Sequence, residues 1–173
     1  MGKWGYGPFD NDGAADFAGD LDATPLPRRI QVIQEALASV AGDGSQHIDG
    51  GRAELAIAAA ALTVREVEGG DEFQSATWGP NGEIPQIPKG LIPLALEAIS
   101  RLLATSNDLR DDWSVEEEGV EWLAMLRRLK AVLDRESTAE TSFSAPDPEG
   151  QEQGQRGVRR AAHEGESIQE GLW

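Results

Sequence analysis

Cysteine is absent from this chain, which excludes disulfides, thiolate metal sites and a cysteine nucleophile and fits a reducing cytoplasm. Histidine is scarce. His47 lies in a Gly-rich turn and His163 near the end, so neither forms an i, i+4 ligand pair or stands beside a serine nucleophile in the sequence. No apolar run approaches a membrane span, and the start carries acids and glycines where a signal peptide has a basic flank and an apolar stretch. A cytoplasmic protein without membrane contact is expected. Basic residues are few as well: 15 Lys and Arg face 31 acids, for a formal net charge of −16. Nucleic-acid affinity depends on Lys and Arg displacing condensed counterions, so direct DNA or RNA binding is not expected. The acidity serves solubility, or it presents carboxylates to a basic protein partner.

What is present is helical patterning. Asn11 can cap a first helix whose apolar side is Ala14, Ala15, Phe17, Ala18 and Leu21. Thr24-Pro25 signals a second start, with proline at the first helical position, and Ile30, Ile33, Leu37, Val40 and Ala41 form its stripe up to Gly42. A third helix, from about 51 to 66, is apolar around its whole circumference at Leu55 to Leu62 and belongs in the middle of a bundle. A turn-rich connection from 68 to 88 follows. Helix resumes around Pro93 with Leu94, Ala95, Ala98, Ile99 and Leu102 towards the core, and Ser106 and Asn107 punctuate it. Ser114-Val115-Glu116-Glu117 reads as a capping box opening a last helix with Trp122, Met125, Leu126, Leu129 and Leu133 inside. Trp122 is read as structural.

These signals predict an all-α fold: a compact bundle of five or six helices over residues 1–136, with an ordered aromatic N-terminal arm. Residues 137–173, rich in Ser, Pro, Gly, Gln and Glu, are expected to form a disordered tail. Its terminal Trp173 is a candidate docking anchor.

The arm, Trp4-Gly5-Tyr6-Gly7-Pro8-Phe9-Asp10-Asn11-Asp12, resembles the opening of a family of small bacterial proteins, domain of unknown function 4259. The alanine-rich third helix, the Leu94 to Leu103 helix and Asn107 to Trp113 also resemble that family's layout. The resemblance implies an all-helical bacterial protein and brings no catalytic residues.

Two functional classes follow. The first is a non-enzymatic acidic interaction module of toxin-antagonist, inhibitor or polyanion-mimic type, needing no cofactor, with Trp4, Tyr6, Phe9, Asp10, Asn11, Asp12 and Trp173 as candidate binding residues. The arm's glycines do not make a phosphate cradle, because no strand precedes them and Asp10 and Asp12 would repel phosphate. The second is a divalent-metal-dependent hydrolase. Four-residue spacing puts Asp12, Asp16 and Asp20 on one helical face with Asp10 above, and carboxylates suit Ca or Mg.

Overall fold

The computed structural model describes residues 2–115 and 117–143, with side chains as far as residue 139. Six α-helices account for most of them: α1 (Asp12–Ala23), α2 (Leu26–Ala41), α3 (Gly50–Thr63), α4 (Leu91–Ala104), α5 (Asp108–Ser114) and α6 (Gly119–Phe143). The all-α bundle expected from the periodicity is what forms.

α3 is the centre of the bundle because from Leu55 to Leu62 its surface offers no polar side. Ala53, Ala56 and Ala58 to Ala61 are fully buried, and the helix packs against α1, α2, α4 and α5. Small side chains let those neighbours approach closely. α4 closes the second side, lying against α2, α3 and α6, with Ala95, Ala98, Ile99 and Leu102 inside. α6 seals the bundle with Leu126, Leu129 and Leu133. Each buried leucine of that kind contributes about 1.5–3 kcal/mol relative to exposure. Trp122 is buried as expected and stacks on Trp113, ring centroids 6.1 Å apart.

Several boundaries differ from the sequence expectation. Thr24 ends α1, its hydroxyl donating to the Asp20 carbonyl at 2.7 Å; Pro25 stands at the cap of α2, and Pro27 falls in the first turn. The Ser114 capping box does not form. Ser114 is the last residue of α5, where its hydroxyl donates to the Asp111 carbonyl at 2.6 Å, and α6 begins only at Gly119. Glu117 and Glu118 therefore precede that helix, leaving Glu121 as the acid of its first turn. α6 also runs beyond residue 136, to Phe143. Trp173, His163 and the rest of the expected tail lie outside the described residues.

A two-residue parallel pairing joins β1 (His47–Ile48) to β2 (Ser106–Asn107). It brings the start of α3 beside the start of α5, whose cap Asn107 is buried and accepts from the Arg110 N–H at 2.8 Å.

Around residues 81–83 the 64–90 connection is held by one charged pair of residues. The Asp22 carboxylate accepts the N–H groups of Asn81 and Gly82, at 2.8 and 2.7 Å. Arg29, only 8 % exposed, donates to the carbonyls of Thr24, Asp22 and Glu83. The loop is thereby tied to the α1–α2 corner. Those N–H groups and Arg29 hold the Asp22 carboxyl below its usual range, against the desolvation that opposes them.

Candidate functional site

The arm is built by its own acids. Asp10 folds back so that Oδ2 accepts the Gly7 N–H at 2.9 Å, while the Trp4 N–H donates to the Asp10 carbonyl at 3.1 Å. A Cβ on residue 7 would stand 2.7 Å from that carboxylate oxygen, and one on residue 5 would collide with it too, so a side chain at either place would have to displace the Asp10 carboxylate from this turn. Asn11 caps α1 by accepting the Ala14 N–H at 2.8 Å. Asp12 Oδ2 accepts the Gly2 N–H at 2.7 Å, and its own N–H donates to the Gly2 carbonyl. An antiparallel bridge between Lys3 and Asn11 completes the clasp.

The three aromatics of the arm part company. Phe9 is 1 % exposed and belongs to the core. Trp4 and Tyr6, each 45 % exposed, remain at the surface. Trp4 leans on Trp78 of the 64–90 connection, ring centroids 4.9 Å apart, and Trp78 is itself 44 % exposed. Trp78 was not singled out from the sequence, although an aromatic in a polar, turn-rich loop is a legible signal. Beside the arm, α1 carries Asp12, Asp16, Asp20 and Asp22 and no basic residue.

The acidic series does not converge. Asp12, Asp16 and Asp20 lie exposed along α1, and the carboxylates of Asp10 and Asp12 are engaged with arm N–H groups. Among the described residues no three acidic or histidine side chains are grouped to hold a metal ion.

Under the arm sits a residue the sequence reading passed over. Glu54, the one acid within α3, is 1 % exposed, and neither carboxylate oxygen has a hydrogen-bond partner among the described residues. Oε2 faces Gly13 of α1, where a Cβ would overlap it. Burial pushes the carboxyl above its ordinary value, and the charges of Asp12 and Asp112 push the same way; the chain's amino terminus and Lys3 oppose them. Lys3 also places its ammonium 4.4 Å from the centre of the Trp113 ring. A single Glu in an otherwise apolar run was the available signal.

His47 corrects the sequence expectation. The β1–β2 register sets it beside Ser106, with Nδ1 3.2 Å from Ser106 Oγ and Nε2 2.7 Å from Asp108 Oδ1. Asp108 opens α5 directly after β2, and Ser106 and Asp108 are the exposed residues on either side of buried Asn107, which leaves both within reach of the same ring. The His47 and Asp108 side chains are about half exposed, at 49 % and 55 %. Asp108 Oδ2 also accepts the Gly50 N–H at 3.2 Å, so the cluster ties two connections together. His47, with Gly50, holds the Asp108 carboxyl below its usual range.

The family model described as Domain of unknown function (DUF4259) matches residues 2–125, from the arm into α6. No curated protein and no solved structure matches the chain.

Proposed function

This chain belongs to the DUF4259 family, and from its geometry we propose that it is a non-enzymatic, acidic protein-interaction module that engages a basic protein partner. The exposed Trp4–Trp78 contact carries this reading. Two tryptophans from separate segments are held together at the surface, with Tyr6 exposed on the same arm and the acid-only α1 adjoining it. Tryptophan and tyrosine are enriched among the few residues that dominate binding energy. An arginine laid over such a ring gains about 0.5–2 kcal/mol, more as water is excluded. Surrounding carboxylates would speed encounter with a basic surface and make it salt-sensitive. A toxin antagonist, an inhibitor or a polyanion mimic working in the cytoplasm would have these properties.

The test is capture from the source cell at low and high salt, comparing the natural chain with Trp4→Ala/Trp78→Ala. A basic partner retained only at low salt, and lost by the double variant at unchanged Tm, is the expected result. Failure to recover one, or equal capture by the variant, removes the reading. For the competing metal-dependent hydrolase, no ligand set is grouped among the described residues. If it were right, Ca²⁺, Mg²⁺ or Mn²⁺ at about one hundred times its dissociation constant would stabilise the fold by about 2.7 kcal/mol.

A further inference from the structure

We propose that Glu54 is a proton-operated latch on the N-terminal arm: as a neutral acid it lets α1 close onto α3, and as a carboxylate it forces that junction apart and loosens the arm bearing Trp4.

The placement leaves an ionised Glu54 without a hydrogen bond among the described residues. It sits on the innermost helix, 1 % exposed, with both oxygens unpartnered among the described residues. On the α1 side, Oε2 already occupies the space that a side chain at residue 13 would fill. A buried carboxylate without hydrogen bonds is costly, and the acid escapes that cost either by staying protonated or by reaching water. The charged groups acting on it are Asp12 from α1, Asp112 from α5, and Lys3 and the amino terminus from the arm. The two acids oppose a further negative charge while the amino terminus and Lys3 favour one, so burial is what chiefly disfavours the carboxylate.

Movement of the first turn of α1 must move the arm. Asp12 holds Gly2 through two hydrogen bonds, at 2.7 and 3.1 Å, and Lys3 bridges to Asn11. The Trp4 N–H is bonded to the Asp10 carbonyl just before the helix. Opening at Gly13 therefore disturbs the Trp4–Trp78 contact and the position of Lys3 over Trp113. The consequence for binding rests on the aromatic face being the binding face; the latch can be tested without a partner.

The experiment follows the isolated full chain from about pH 5 to about pH 9 by carboxyl ¹³C NMR and by tryptophan fluorescence, with Glu54→Gln and Asp112→Asn alongside. Glu54 is expected to titrate above the ordinary 4.5, with a reversible fluorescence change at the same midpoint. That change should vanish in Glu54→Gln and move to lower pH in Asp112→Asn. An ordinary glutamate titration in the natural chain overturns the proposal, whether or not the Gln variant folds. So does ionisation of Glu54 without a fluorescence change, or a change that persists in Glu54→Gln. If the latch operates but partner affinity is the same on both sides of the midpoint, the binding face is wrong and the latch stands.

Discussion

His47 and Asp108 lie 61 residues apart in the sequence and meet at 2.7 Å, fastening the connection before α3 to the first turn of α5. Because the bond holds the Asp108 carboxyl below its ordinary 3.8, the folded state binds fewer protons than the unfolded chain as pH falls through that value. The contribution is complete above 3.8 and is lost as pH drops towards the folded value. Asp43, held down to about 2 first by the Ser45 backbone N–H, behaves in the same sense. Asp108→Asn should flatten part of the acid limb of stability. Thermal melts between about pH 5 and about pH 2.5 check this, and superimposable limbs would contradict it.

Gly13→Ala should reverse the usual sign of a glycine replacement. Alanine ordinarily favours a helix by up to about 1 kcal/mol. Here its methyl would overlap Glu54 Oε2, and because that side chain is buried the overlap is relieved only by displacing the carboxyl, so a loss of up to about 3 kcal/mol is expected. In a Glu54→Ala background the same change should become neutral or stabilising. Denaturant melts of the four chains give the coupling, and simple additivity would refute the contact.

Asn11→Ala removes the oxygen that accepts the Ala14 N–H at the start of α1. The expected cost is about 1 kcal/mol. Asn11→Asp should recover most of it, since a carboxylate can accept the same bond and suits the helix start. Urea unfolding would measure both.

Arg29→Met keeps the aliphatic length and deletes the three donors that reach Asp22, Thr24 and Glu83. These carbonyls are only part-buried, so the cost of about 1–3 kcal/mol for an unpaired group applies to those that water does not reach. The amides of Asn81 and Gly82, held by Asp22, should exchange faster than in the natural chain. Unchanged exchange would mean that Arg29 does not order the loop.

The helices were legible because burial imposes a repeat that can be read from local order. The stripe from Ile33 to Val40 and the apolar run through Ala58 and Ala59 each face a core that any folded bundle must have. Asn11 was legible for the same local reason, since its partner is three residues away. Ser114 misled because a serine followed three residues later by Glu suits a helix start, yet its hydroxyl bonds back to Asp111 and closes the preceding helix. Trp4 and Tyr6 could be recognised as candidates but not placed. Whether an aromatic of the arm is buried like Phe9 or exposed depends on where Asp10 turns the backbone.

The amino-acid order alone determined that this chain makes an acidic helical bundle around an alanine-rich central helix, because helix period, capping and net charge are short-range or additive properties. The tertiary structure decided that Trp4 meets Trp78, that His47 meets Ser106 and Asp108, and that Glu54 is shut beneath Gly13. Those contacts depend on how helices pack across long separations, and no local periodicity encodes the distance between side chains on different helices.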